Sequence, residues 1–349
     1  MHGEYKVPGG KLVAVDLEVK DGRLAGVRVS GDFFLEPDSA LEDIDAALDG
    51  MPETATAAQL AQAIGGALHD GVAMVGFSPE AVGIAVRRAL GRATGWGDHT
   101  FDVIHGEPVH PALNVALDEV IPGEVAAGRR GPTMRIWEWN APLVVIGSFQ
   151  SVRNEVDLEA LQRHGMSVVR RISGGGAMFM EPGNCITYSL VVPGSLVEGL
   201  SFEQSYAFLD DWVLGALADV GVRARYVPLN DIASDAGKIG GAAQKRFASG
   251  VVLHHVTMSY DIDADKMLDV LRIGREKMSD KGVKSANKRV DPMRSQTGMS
   301  REAIIEAFLA HFRGRYRTQL SDYRPEEIAR AEELMETKFL SDGWTYRVP

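Results

Sequence analysis

A single cysteine, Cys185, stands in a chain of 349 residues. One thiol excludes an internal disulfide framework and any multi-cysteine metal site. Long apolar runs are missing too, since no stretch approaches the roughly 20 residues needed to cross a bilayer. Met1 to Gly10 lack the hydrophobic centre of an export signal, so nothing there marks the chain for secretion. Nor is positive charge in excess. Thirty-seven Lys and Arg against 48 Asp and Glu leave a net charge of −11, which argues against nonspecific nucleic-acid binding. Internal repeats and low-complexity tracts are absent. Together these absences predict a soluble protein of a reducing cytoplasm, with neither membrane nor nucleic acid as partner. What remains is ordinary globular material, 45% hydrophobic and 24% charged, long enough for two or three domains.

Residues 1–91 read as a small α/β unit. Between Val13 and Val19 apolar side chains alternate with Ala14, Asp16 and Glu18, the period of a half-buried strand. Asp21-Gly22 supplies tight-hairpin chemistry, and Val27 and Val29 continue the alternation on the way back. Leu41, Ile44 and Leu48 share one helical face that ends at Gly50. Thr56 with Gln59 forms a capping box, and Ser78-Pro79 opens a third helix. The glycine-rich, polar stretch 92–99 is the expected linker. From residue 100 to 349, strand-like runs at Pro142 to Ile146, Val168 to Ile172 and Ile186 to Val192 mix with helical patterns. One of these carries Ile304, Ile305, Phe308, Leu309 and Phe312 behind a Ser300 cap.

Three segments carry chemistry. The first is Arg170-Arg171-Ile172-Ser173-Gly174-Gly175-Gly176-Ala177-Met178-Phe179, followed by Glu181-Pro182-Gly183-Asn184. Three adjacent glycines after an apolar strand lose much backbone entropy on folding. Either main-chain N–H groups there approach an anion, with Arg170 and Arg171 adding fixed charge, or the stretch is a flexible turn beside two solvated arginines. It is neither a Walker loop nor a GxGxxG fingerprint, because no GxxxxGK[ST] occurs and Phe179 takes the third glycine's place.

The second segment runs Asn230-Asp231-Ile232, then Gly237-Lys238-Ile239-Gly240-Gly241-Ala242-Ala243-Gln244. Lys238 among glycines can bring its ammonium to a ligand, and Asp231 can take Mg²⁺, a hard cation suited to carboxylate and phosphate oxygens. A solvated loop reads the same way. The third segment, Gly250 to Asp261, has the apolar flanks of a buried strand carrying His254 and His255. Adjacent strand residues face opposite ways, so the two do not share one metal ion, and at least one is expected to be a hydrogen-bonded structural histidine.

In this order and spacing the segments resemble the lipoate–protein ligase family, whose fold and acyl-adenylate chemistry are similar to those of biotin–protein ligases. The family's glycine loop reads approximately RRxSGGGAVxxDxGN, matched by Arg170 through Asn184. Its lysine segment, ND(x)nK(V/I)SGxA, is matched by Asn230, Asp231, Lys238, Ile239, Gly241 and Ala243. Its HHGT strand is matched by His254, His255 and Thr257. Further agreement lies at Asn114 to Glu119, Arg135 to Trp137, Gln150 to Val156, Lys281 to Ser285 and Arg289-Val290, so that the resemblance spans about residues 100–315. Lys6 to Val13 and Gly31 to Phe34 resemble the family's small accessory domain, here fused in front. The departures are Met180-Glu181 for His-Asp, Gly240 for serine and Val256 for glycine.

The resemblance implies an α/β (α+β) fold with a mixed sheet and helices, plus a small α+β accessory domain at 1–91 ahead of a catalytic domain at 100–349. It implies an ATP- and Mg²⁺-dependent lipoate–protein ligase that forms lipoyl-AMP and passes the acyl group to a lysine of an acceptor. Arg171, Gly174, Gly175, Gly176, Ala177, Met178, Phe179 and Asn184 would bind or shape the site of ATP and the adenylate. Lys238 would be catalytic and touch both phosphate and lipoyl carbonyl, with Arg171 and His255 also on lipoate and Asp231 near the metal. Val169 and Ile172 are candidate walls of the lipoyl tunnel. Expected acceptors are lipoyl domains of 2-oxoacid dehydrogenase complexes and the glycine-cleavage H protein.

Rival readings are an octanoyl- or lipoyltransferase working through an acyl-cysteine without ATP, and an inactive lipoate-binding homologue. The first needs a reactive thiolate; the related transferases place it after the conserved lysine, where this chain has none. Biotin ligation lacks support, since the arginine-and-glycine loop of that family is not found. The basic stretch 266–294, with Lys284 and Lys288, reads either as a solvated helical face or as a docking surface for acidic lipoyl domains.

Overall fold

The computed structural model describes residues 1–7, 9–235, 237–272 and 292–348. Lys281 to Ser285, Lys288 and Arg289-Val290, and with them most of the basic stretch, lie outside the described residues. The chain divides into two units, one of Met1–Asp98 with Gly194–Ser201, the other of His99–Pro193 with Phe202–Pro349. No helix among the described residues is long and apolar enough to cross a membrane.

The first unit begins with an antiparallel sheet of β1 (His2–Lys6), β2 (Leu12–Lys20) and β3 (Arg23–Gly31). Asp21 and Gly22 turn its hairpin with φ of 52° and 73°, the left-handed pair that matches strand twist. A short ribbon of β4 (Phe34–Glu36) and β5 (Ala73–Val75) follows, with α1 (Ala40–Leu48), α2 (Ala57–Ala67) and α3 (Pro79–Ala89). Thr56 and Gln59 close the expected capping box, and the Ser78 side chain accepts from the Ala81 N–H. Val13, Val15 and Leu24 of the sheet pack with Ile44, Leu60 and Val82 of the helices. At Gly3 the sheet meets α3 so closely that a Cβ would stand 2.2 Å from the Ala89 nitrogen. The segment Gly194–Ser201 completes this unit: the Ser195 carbonyl accepts from the Thr94 N–H at 2.9 Å, and Glu198 pairs with Arg87 at 3.2 Å.

The second unit is built on a mixed eight-stranded sheet. Its strands, in spatial order, are β12 (Arg225–Val227), β13 (Asp231–Ala233), β14 (Lys238–Arg246), β15 (Val251–Ser259), β11 (Cys185–Pro193), β7 (Thr133–Ile136), β6 (Phe101–His105) and β16 (Thr318–Leu320). Pairing is antiparallel from β12 to β7 and parallel from β7 to β16. A second sheet of β10 (Met178–Met180), β8 (Leu143–Ile146) and β9 (Ser167–Arg170) carries the glycine loop between β9 and β10. The helices are α4 (Pro111–Ala126), α5 (Val152–Glu155), α6 (Leu158–Arg163), α7 (Phe202–Asp219), α8 (Ala264–Val270), α9 (Met293–Thr297), α10 (Arg301–Arg315), α11 (Pro325–Leu334) and α12 (Asp342–Thr345).

Strand β11 is buried along nearly its whole length, as expected of a strand covered on both faces. Helix α4 packs on β11 and β15, and its apolar side chains join Trp137, Leu143, Val191 and Leu253 in one core. Helix α7 packs with α10, where Trp212, Phe308 and Phe312 meet edge to face.

Candidate functional site

A cleft of about 180 Å³ opens between the glycine loop, the start of β14 and one face of β15. Arg171, Asn230, Lys238 and His255 make its polar part; Met178, Phe179, Cys185, Ile262, Met267 and Leu271 make its apolar part. A larger cleft of about 580 Å³, beside Val152, Arg153 and Tyr346, holds none of the candidate residues.

The glycine loop is braced, not slack. The Arg171 guanidinium is buried and donates from Nη2 to the Gly174 carbonyl at 2.5 Å and from Nε to the Ser173 hydroxyl at 3.0 Å. Gly175 has φ of +90°, and a Cβ there would stand 2.9 Å from Arg171 Nη2. Glycine is therefore required by both backbone and bracing cation. Burial pulls Arg171 down to about 10, still charged at neutral pH. Its neighbour does something else. Arg170 is fully buried, donating to the carbonyls of Gly147 and Gln150 and to that of Thr345 at 2.6 Å. It clamps the chain end onto β9, which corrects the expectation that both arginines charge an anion nest.

On the facing side the Lys238 ammonium meets the Asp231 carboxylate at 2.7 Å, both partly exposed. Gly241 lies across from Asp231 in the β13–β14 register, and a Cβ on it would come within 3.3 Å of Lys238 Nζ. No group of three or more His, Cys, Asp or Glu able to hold a metal occurs among the described residues. Asp231 offers a single carboxylate here, paired with Lys238, so a Mg²⁺ at this point would draw its remaining ligands from substrate phosphates and water. Gly240, in the place of the family's serine, stands where a Cβ would be 2.7 Å from the Thr257 carbonyl and from Met258.

Strand β15 presents His255, Thr257 and Ser259 to the cleft and turns His254, Val256 and Met258 the other way. The departure at Val256 thus leaves the cleft untouched. Met180 is in the core and Glu181 pairs with Lys266. His255 Nδ1 lies 2.6 Å from Asp118 of α4, and its Nε2 lies 2.7 Å from the Ser173 hydroxyl. Asp118 Oδ1 also accepts from Arg135 at 2.6 Å and from Ser189 at 2.8 Å. Burial opposes the Asp118 charge, but Arg135 and His255 outweigh it and hold the carboxyl below its usual range. Burial likewise lowers His255, against the pull of Asp118, and favours the neutral ring.

The structure brings Arg171, Gly176, Ala177, Met178, Phe179, Lys238 and His255 to one cleft. Gly174, Gly175 and Asp231 adjoin it without lining it. Asn184 braces the turn after β10, its Oδ1 accepting from the Glu181 N–H at 2.9 Å. Val169 and Ile172, expected as tunnel walls, are core residues; the apolar wall comes from Ile262, Met267 and Leu271 instead. Sequence reasoning missed Asp118. Its signal was a carboxylate four residues after Asn114 on an otherwise apolar helix face.

The sequence profile of the lipoyl protein ligase A/B catalytic domain matches residues 110–313. The chain belongs to this family. Among curated relatives, the octanoyltransferase LipM of Geobacillus kaustophilus is 29% identical over 266 residues, covering 68% of this chain and 94% of that protein. The probable lipoate-protein ligase A of Mycoplasma pneumoniae is 28% identical over 237 residues, covering 68% of each. Among solved structures, the bi-partite lipoate protein ligase of Thermoplasma acidophilum aligns with a TM-score of 0.62 and 25% identity, over 72% of this chain and 97% of that one. The chain is thus a lipoyl ligase/transferase-family enzyme, and its mixed α/β architecture is that of the lipoate ligases.

Proposed function

We propose that this enzyme is an ATP-dependent lipoate–protein ligase. One observation carries the reading. The sole thiol, Cys185, is buried in β11, and burial pushes it up to about 12, so it supplies no thiolate for an acyl-cysteine at neutral pH. A route without a covalent enzyme intermediate then suits the cleft, whose cationic and glycine-lined end adjoins an apolar end fit for an acyl chain.

In the first half-reaction a lipoate carboxylate oxygen attacks the α-phosphorus of ATP and pyrophosphate leaves. Lys238 acts as a fixed charge beside the reacting carboxylate and phosphate, not as a nucleophile, since an attacking amine would first have to lose its proton. Arg171 holds the glycine loop, whose N–H groups would receive the phosphates. Asp231 would hold Mg²⁺, which supplies charge neutralisation to the phosphates when bound. In the second half-reaction the amine of an acceptor lysine attacks the acyl carbon, the bond to AMP breaks and a proton is released. Acceptors of the lipoyl-domain and H-protein type fit this chemistry. Residues 1–91 serve in this reading as a fused accessory domain, with 92–99 as linker.

A second reading, octanoyl transfer without ATP, is favoured by the names of the curated relatives and by Cys185 lining the cleft. Pyrophosphate release from Mg·ATP and lipoate, with and without an apo lipoyl domain, separates the two. The ligase should release pyrophosphate only with lipoate, lipoylate the acceptor, lose about 100-fold or more in Lys238→Ala, and persist in Cys185→Ala. Acyl transfer from a donor protein without ATP, abolished in Cys185→Ala, would move the assignment to the transferase.

A further inference from the structure

Beneath the cleft runs a buried chain of polar groups that joins helix α4 to the glycine loop. Asp118, Arg135, His255, Ser173 and Arg171 are all nearly inaccessible. The direction of each hydrogen in this chain follows from its first member. An ionised Asp118 can only accept, so His255 Nδ1 must carry the proton that faces Oδ2 at 2.6 Å. In the neutral ring Nε2 is then bare and accepts the single hydrogen of Ser173 at 2.7 Å. That leaves the Ser173 oxygen lone pairs for Arg171 Nε at 3.0 Å, and Arg171 Nη2 in turn donates to the Gly174 carbonyl. The Ser173 carbonyl is held separately by the Ser148 N–H at 2.8 Å.

We propose that Asp118 and His255 are positioning residues, which through Ser173 fix the Arg171 guanidinium and so hold the glycine loop in its nucleotide-receiving conformation. The charged and titratable groups around His255 are Asp118 from α4, Arg135 from β7, Arg171 from the loop and His254 on its own strand. Only Asp118 among them favours a second proton on the ring. Were Nε2 protonated, two donors would converge on the Ser173 oxygen and the hydroxyl hydrogen would lose its buried acceptor, an unmade bond inside the protein. The neutral ring is therefore the state in which the brace is complete.

This inference rests on the ligase reading for its kinetic test, but hydrogen exchange tests it independently. In the full-length protein, Ser173→Ala, His255→Ala and the double variant are compared with wild type by lipoate-dependent pyrophosphate release at several pH values, by thermal melting, and by amide exchange at Gly174, Gly175 and Gly176. Each single variant should raise KM for ATP by about tenfold, with a smaller change in kcat. The double variant should be no worse than either single, because both break one chain. His255→Gln, which can keep an acceptor facing Ser173, should recover part of the loss. Loop amides should exchange faster in both single variants at temperatures well below melting. Unchanged loop exchange in Ser173→Ala, or independent multiplying effects in the double variant, would overturn the proposal. Absence of pyrophosphate release from wild type, together with faster loop exchange in both single variants, would sink the ligase reading and leave the brace standing.

Discussion

His254 and His255 are consecutive on β15, and each meets a helix carboxylate at 2.6 Å, His254 with Asp210 of α7 and His255 with Asp118 of α4. Both pairs are buried to within a few per cent. On the α7 face the Asp210 Oδ1 also accepts from Tyr188 at 3.1 Å, while Asp210 Oδ2 and His254 Nδ1 have no partner among the described residues. On the α4 face both Asp118 oxygens and both His255 nitrogens are used, Arg135 balances the charge, and the chain runs on to Ser173 and the loop. The same dyad is thus a core fixture on one side of the sheet and a bracket for the site on the other. Geometry within a pair does not assign its role; what the pair touches next does.

The sharpest test of this contrast is to delete each carboxylate. Asp118→Ala leaves the fully buried Arg135 without its ion-pair partner, and about 3–5 kcal/mol of stability should go in urea unfolding, with activity lost. Asp210→Ala strands no ion-paired Arg or Lys among the described residues and should cost about 1–3 kcal/mol, with pyrophosphate release near wild type. The reverse order would break the comparison.

Next in size are the amides. In Asp118→Asn the new N–H would face His255 Nδ1 and force the other tautomer, aiming a proton at Ser173. Nucleotide KM should rise about tenfold or more, whereas Asp210→Asn should leave it unchanged; equal effects would show that the two faces are not distinct.

Acid supplies a smaller effect. His255 is held neutral in the fold, with a value below that of the unfolded chain. Its contribution is full above the unfolded value near 6.5 and is lost as pH falls through and below it, at up to about 1.4 kcal/mol per pH unit. His255→Gln should flatten that part of a melting curve followed from pH 8 to pH 5; an unaltered slope would count against a buried neutral ring. The least effect belongs to Cys185→Ala, on the strand beside the histidines, where about 1 kcal/mol of packing is lost and acceptor lipoylation continues. Loss of lipoylation there would return the thiol to the mechanism.

Local demands made much of this readable in sequence. The Thr56–Gln59 box, the Asp21-Gly22 turn and the alternation along β2 are each decided within a few residues. So was the opposition of His254 and His255, which follows from strand period alone. The meeting of Arg171, Lys238 and His255 is of another kind, since it depends on strands far apart in the chain coming to one cleft. Asp118 stayed hidden because its partner is 137 positions away: a carboxylate four residues after Asn114 marks a polar spot on an apolar helix face but does not say what it meets. Arg170 was misjudged for a similar reason: its acceptors near residue 345 are carbonyls, which no side-chain pattern reveals.

The first unit contains Gly194–Ser201, which the chain inserts between β11 and α7. A gene cut between codons 98 and 99 would therefore not deliver two whole parts. The shorter product would miss the backbone that receives the Thr94 N–H and the carboxylate opposite Arg87, and the longer one would carry that stretch with its partners gone. Any attempt to express the halves separately, or to swap the leading half for another, has to graft the excursion along with it.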